Sequence, residues 1–244
     1  MSIGDFLPAG GATATYKTCT EVRSEAGERA CDCPTRTEVP DPPEWKGEWT
    51  NENIEKMKLQ ILDHYSTSAF NTCKLQPQPL MKGLEPVRLD VNTETYKPDR
   101  FMTASNVPLH LREAAKNSLE FDLMAGTLEK VPSAENNTKY GIARTVFVAK
   151  PTKPGEKPKC RRTVDYKKLN AHINPSVYHM DPPLKQAERV KSDSYKSVLD
   201  AKDGFHSIPL DPESRKWTMF ITASHGPLRY TRMPQGLILS LIHI

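Results

Sequence analysis

SVLDAKDGFHSIPL, residues 197–210, passes from apolar to polar and back within one short stretch. Val198 and Leu199 read as the end of a strand over 196–200, and they deliver Asp200 to its C-terminal end. A turn containing Gly204 follows, Phe205 stands five positions after the acid, and Ile208 and Leu210 form a second apolar piece. A carboxylate fixed where a buried strand ends, beside a turn whose backbone can meet a ligand, suits a metal held against phosphates. The same residues also describe a strand whose terminal Asp caps the next turn. The flanking sequence has to separate the two.

Upstream lies a strand-rich and strongly basic region. Residues 145–149 (TVFVA) and 163–166 (TVDY) read as strands joined by a lysine- and proline-rich loop. Ten basic residues (Lys139, Arg144, Lys150, Lys153, Lys157, Lys159, Arg161, Arg162, Lys167 and Lys168) stand there against two acids, Glu156 and Asp165. Such a loop suits phosphates, of a nucleotide or of a nucleic-acid backbone, and equally a solvated hairpin tip. Strand alternation puts Arg161 and Thr163 on one face, Arg162 and Val164 on the other.

Downstream, 216–223 and 228–233 read as a hairpin turning over Ser224, His225 and Gly226. Leu111, Ala115, Leu119 and Leu123 predict an amphipathic helix over 109–124, which Gly126 is placed to end in the left-handed conformation. Ile54, Met57, Ile61, Leu62 and Tyr65 predict another helix of about 14 residues, capped by Asn51, with one buried face. Between the two, Pro77, Pro79, Pro86, Pro98 and Pro108 exclude long helices. Helices and strands mix without regular alternation, which predicts an α+β fold rather than a doubly wound sheet.

The totals allow one or two domains: 244 residues, 37% hydrophobic and 26% charged, with 21 prolines. A net charge of +4 does not by itself indicate a nucleic-acid partner, so the local basic cluster carries that weight. Residues 1–50 read as a disordered linker, punctuated by Pro34, Pro40, Pro42 and Pro43. Cys31 and Cys33 lie near Cys19, but no second pair or nearby histidine completes a zinc set. Five cysteines, an odd number, do not make a disulfide framework. The first residues lack the basic start and apolar core of a secretory signal, and no apolar run approaches the roughly 18 residues of a membrane span. The expectation is an intracellular protein without a membrane partner.

Four strings in order carry a family resemblance: VFVAKPTKPG (146–155), RRTVDYKKLNAHINP (161–175), SVLDAKDGFHSIPLDPES (197–214), and FIT (220–222) with GPLRYTRMPQG (226–236). Together they resemble the reverse transcriptase of gypsy-class retrotransposons and, more distantly, of retroviruses. The similarity begins near Asn51 and is strongest over 140–237. SAFNTCKLQPQPLM, residues 68–81, is similar to the segment between protease and polymerase in the same elements. The resemblance implies a hand-shaped polymerase, of which 87–238 is the N-terminal part (fingers and partial palm). Residues 51–86 are then a connector, and 239–244 a non-native tail that does not match the family.

In that family the palm holds catalytic Mg²⁺ with acidic ligands, and the resemblance assigns Asp200 to the first of them, with the Ala201 carbonyl beside it. Two Mg²⁺ ions about 4 Å apart stabilise the entering and leaving oxygens when a primer 3′-hydroxyl attacks an α-phosphate. Phe205 matches the aromatic that excludes a 2′-hydroxyl and so selects deoxynucleotides. The amides around Asp203 and Gly204 match an anion nest for the triphosphate. Arg161 matches the fingers arginine that stacks on the base and contacts phosphate. Lys150 and Lys153 are both candidates for the fingers lysine, with Lys153 preferred because Pro154 and Gly155 follow it. Gln235 matches a residue beside the nucleotide sugar, and His206 reads as structural.

The family's remaining carboxylates lie in an aromatic-x-Asp-Asp hairpin, a string that residues 1–244 do not contain. The expectation is therefore a polypeptide inactive by itself, a piece of an RNA-directed DNA polymerase. Its implied partners are primed RNA or DNA template, deoxynucleoside triphosphates and the rest of a Pol polyprotein. That polyprotein would place a protease upstream, and the rest of the polymerase, ribonuclease H and integrase downstream, within a cytoplasmic virus-like particle. The rival expectations are a non-catalytic nucleic-acid-binding module and a domesticated interaction protein.

Overall fold

A computed structural model describes residues 21–23, 29–31, 37–44, 46–69, 73, 75–76, 79–81, 83–99, 104, 106–133, 135, 140–174, 181–193 and 203–237. The strand expected over 196–200, with Asp200 and Ala201, and the tail 239–244 lie outside them.

The fold is α+β with antiparallel sheets. Strands β1 (Glu21–Arg23) and β2 (Arg29–Cys31) form a short ladder within the stretch read as linker. Helix α1 (Asn51–His64) follows as expected, but Thr50 is its cap: the Thr50 side chain accepts from the Asn53 amide at 3.2 Å. The expected buried face of α1 is absent, since none of its residues is buried and Ile54, Met57, Ile61 and Leu62 remain half-covered. Helical spacing reports which side is apolar and not how much chain packs against it.

Helix α2 (Arg112–Met124), led in by a 3₁₀ turn over Leu109–Leu111, buries Leu111, Ala115 and Leu119, as their spacing requires. It ends at Gly126, whose φ of +65° lets the Thr127 amide reach Asp122 O (2.9 Å) and the Gly126 amide reach Leu123 O (3.1 Å). Strand β3 (Leu128–Lys130) starts at once and pairs with β7 (Gly226–Tyr230), which also pairs with β6 (Phe220–Thr222). The expected downstream hairpin is therefore present but shorter, and 216–218 form a 3₁₀ turn after helix α5 (Pro212–Arg215) instead of strand.

Strands β4 (Arg144–Lys150) and β5 (Lys159–Asp165) form the upstream hairpin, in register from Arg144↔Asp165 to Lys150↔Lys159. It is longer than the apolar strings indicated, because β5 takes in the basic residues Lys159, Arg161 and Arg162. Thr145, Phe147 and Val164 point into the core, whereas Val146 (41% exposed) and Val148 (53%) share the open face with Arg161 and Thr163. Short helices α3 (Lys167–Asn170) and α4 (Pro183–Ala187) follow.

One core joins these pieces. Phe220, Leu228, Ile208, Leu210, Met233 and Leu119 are its fully enclosed centre. The segment 84–91 runs along 207–214: the Val87 amide reaches Pro209 O (2.9 Å) and that of Leu89 reaches Ser214 Oγ (2.8 Å), while ahead of it the Met81 amide reaches Ser207 O (3.0 Å).

Candidate functional site

The geometry of the site follows from three backbone placements. Leu210 N bonds to Thr231 O (3.0 Å) and Met233 N to Ile208 O (2.9 Å), so 208–210 lies antiparallel to 231–233. That pairing sets the turn at 203–207 beside the Met233-Pro234-Gln235-Gly236 corner. The corner is held in turn by Asn170 Nδ2, which donates to Gly236 O at 2.8 Å. Strand β5 then passes across both and presents Arg161.

The result is a cavity of about 280 Å³ walled by Arg161, Arg162, Lys150, Asp122, Asp203 and Gln235, among others. Arg161 and Gln235 are 74 positions apart, yet Arg161 Nη2 lies 3.4 Å from Gln235 Oε1, where it donates a weak hydrogen bond. A second cavity of about 440 Å³ continues along α2, sharing Lys150, Asp122, Asp203 and His206.

Of the residues singled out from sequence, Arg161, Asp203 and Gln235 are brought to one wall. Asp203 adopts the left-handed conformation (φ 52°, ψ 35°), the one non-glycine to do so among the described residues, and Gly204 opens a 3₁₀ turn behind it. Phe205 packs against the core and does not line either cavity. Lys153 is exposed in the loop between β4 and β5, where its carbonyl accepts from the Glu156 amide at 3.1 Å. Lys150, the other lysine candidate, is the one in the wall. Asp200 and Ala201 fall outside the described residues, among which no cluster of three or more potential metal ligands occurs.

The sequence did not single out Asp122, Ser118 or Tyr230, which reach the wall from α2 and β7. Nor did it assign a role to Arg162 beyond its strand face. The Arg162 side chain is 7% exposed, with Nη1 2.7 Å from Asp122 Oδ2 and Nε donating to Tyr230 Oη at 3.1 Å. Nη1 lies at ion-pair distance but off the hydrogen-bonding direction, so the Asp122 contact is an ion pair rather than an aligned bond. The guanidinium also sits 5.5 Å from the Phe220 ring centre and 5.4 Å from that of Tyr230. Burial opposes its charge, but Tyr230 and Asp122 outweigh burial and hold the pKa above the ordinary arginine value.

His206 is held below the ordinary imidazole pKa by burial, against the opposing pull of Asp122 and Asp203, so it enters the wall as a neutral ring. Burial also raises the Cys160 thiol, opposed by Arg162 and Lys150. Beside the carboxylates of Asp122 and Asp203 the wall offers two guanidinium forks, one lysine, amide and hydroxyl groups and no thiolate, a set with a cationic excess that suits an anion.

Comparison with known proteins shows what part of the chain is similar to. Residues 149–244 match the model of the reverse transcriptase (RNA-dependent DNA polymerase) family, a match that runs across 239–244 as well. The retrovirus-related Pol polyprotein from transposon 412 of Drosophila melanogaster is 38% identical over 96 residues, covering 38% of this chain and 7% of the relative. That from transposon 297 of the same fly is 37% identical over 106 residues, covering 42% and 10%. Among solved structures, the prototype foamy virus protease–reverse transcriptase superposes with a TM-score of 0.60 at 20% identity, covering 78% of this chain and 23% of that one. Another structure of a foamy viral protease–reverse transcriptase, in complex with an RNA/DNA hybrid, gives 0.59 at 20% identity. The chain thus spans a tenth or less of these two transposon polyproteins and about a quarter of the viral enzyme. Its residues 149–244 are similar to the reverse transcriptase region of retrovirus-related Pol polyproteins, in keeping with the resemblance read from its strings.

Proposed function

We propose that this chain is the fingers and part of the palm of a gypsy-class RNA-directed DNA polymerase, and that the Arg161–Gln235 cavity receives the incoming deoxynucleoside triphosphate. The observation that carries the reading is the convergence of Arg161, on β5, and Gln235, in the distant 233–236 corner, at 3.4 Å, with Lys150 in the same wall. A guanidinium fork suits both phosphate oxygens and the face of a base. Lys150, at the end of β4, or Lys153, in the β4–β5 loop, adds a point charge, and Lys150 is favoured because it already faces the cavity. Amides of Asp203 and Gly204 line the approach, a role supported by the left-handed turn at Asp203. Phe205 packs against the core behind that turn and lines neither cavity, so its proposed role as the barrier to a 2′-hydroxyl rests on the resemblance and on a sugar seated over the turn itself.

The donor set fits Mg²⁺ in chemistry, since the Asp200 carboxylate and the Ala201 carbonyl are hard oxygen ligands. When bound, the metal supplies charge stabilisation at the entering and leaving oxygens of phosphoryl transfer. The residues of this chain bind and orient: Arg161 and the lysine hold phosphate, Gln235 meets the sugar, and Phe205 excludes ribose. Template with primer and the remainder of a Pol polyprotein, in a cytoplasmic particle, are the partners this reading requires.

Titration of the polypeptide with dGTP and GTP in Mg²⁺ tests the reading. Preferential binding of dGTP, weakened by Arg161→Ala, is expected. Equal binding of both nucleotides, indifferent to Arg161→Ala, would instead favour a basic module that contacts nucleic acid without a nucleotide site.

A further inference from the structure

Two members of the cavity wall, Asp122 and Asp203, are carboxylates out of keeping with an anion site, and Asp122 is the one with a buried partner. The Asp122 carboxylate faces the same space as Arg161 and Lys150, and a triphosphate entering there would meet a like charge. Arg162 is the residue that answers it. It is the next residue of β5 after Arg161, points to the opposite face, and pairs with Asp122 while its Nε is fixed on Tyr230 Oη. A cation is a costly way to fill the buried space beside the Phe220 and Tyr230 rings, which an apolar chain of similar volume fills as well. Its charge therefore calls for an electrostatic reason.

We propose that Arg162 is a positioning residue for the anion: its buried pairing with Asp122 masks that carboxylate from the ligand and seats β5 so that Arg161 is presented to Gln235. The inference rests on the reading of the cavity as a triphosphate site. Asp122 and Asp203 are the acids of the wall, against Lys150, Arg161 and Arg162, with His206 neutral. Losing Arg162 cancels the cationic excess and also bares a carboxylate.

The test is calorimetric titration of the 244-residue polypeptide with tripolyphosphate and with dGTP, for wild type, Arg162→Met, Asp122→Asn and the double variant. Arg162→Met is expected to weaken binding about tenfold, and in the Asp122→Asn background the same change is expected to cost less than about twofold. A merely structural role would lower the melting temperature and leave the affinity of the folded protein unchanged in both backgrounds. That result, or an equal loss in both backgrounds, overturns the proposal. Wild type binding neither probe sinks the triphosphate reading itself and this inference with it. If Arg162→Met does not fold, Arg162→Gln, which keeps a donor for Tyr230 without the charge, takes its place with the same expected pattern.

Discussion

Gly141→Ala probes the joint that aims the β4–β5 hairpin. Gly141 holds a φ of +88°, and a Cβ added there would lie 2.8 Å from Tyr96 Oη, 2.9 Å from Pro98 Cβ and 3.3 Å from Asp99 O. The left-handed backbone costs an L-residue about 1–2 kcal/mol. Tyr96 has little room to yield, because its ring packs edge-on against His172 at 5.6 Å and Trp217 at 5.7 Å. Overpacking of this kind costs about 1–3 kcal/mol, so the substitution is expected to destabilise by about 2–5 kcal/mol. Gly126→Ala is the control: its φ is +65°, but nothing stands within 4 Å of the added methyl. It carries the backbone cost alone, about 1–2 kcal/mol. Urea unfolding followed by far-UV circular dichroism measures both. An excess of about 1–3 kcal/mol for Gly141→Ala is expected, and equal costs would refute the packing part of the reasoning. The next two amides bind Asp99 O (2.7 Å) and Met219 O (2.8 Å), so the folded fraction of Gly141→Ala should also bind triphosphate less well.

Three other outcomes are expected. The polypeptide by itself incorporates no labelled deoxynucleotide on a primed RNA template; incorporation that Asp200→Asn abolishes would contradict this. Replacement of Phe205 by Val relaxes discrimination against GTP by about tenfold in nucleotide titrations while leaving dGTP affinity within about twofold. Stability declines in acid: burial holds His206 below the usual 6.5, so the unfolded chain binds a proton that the folded chain refuses. The loss begins as pH falls through about 6.5 and ends at the lowered folded value, and His225, depressed mainly by burial, adds to it with the same sign. Urea midpoints between about pH 7.5 and 5.5 should show this slope, reduced in His206→Gln.

Local signals in the sequence were reliable where one segment decided its own structure. The apolar spacing and Gly126 located α2 and its end, and alternation correctly separated Arg161 from Arg162. What failed depended on distant partners. Strand β3 has three residues, and only β7, a hundred positions later, makes it a strand. The basic residues of β5 extend the strand because β4 supplies the ladder, whatever their own preference. The apolar side of α1 stays half-covered, since periodicity cannot report a missing neighbour. Helix α5 has a local start signal, written in DPES: Asp211 accepts from the Glu213 amide at 2.9 Å and Pro212 opens the helix. Asp122 and Arg162 were illegible as a pair, because nothing local links a helix acid to a strand arginine forty positions on.

The pairing of 84–91 with 207–214 also governs how the molecule is made. Leu89 meets Ser214 across 125 positions, and Leu84, Val87 and Val91 belong to the same core. At about 5–20 residues per second, a ribosome would release that apolar segment roughly 6–25 s before its partner. Over that interval the hairpin β4–β5 can close on itself, but the core that fixes it cannot. Chaperone binding to nascent chains should therefore concentrate on 84–91 and cease once residue 233 has emerged.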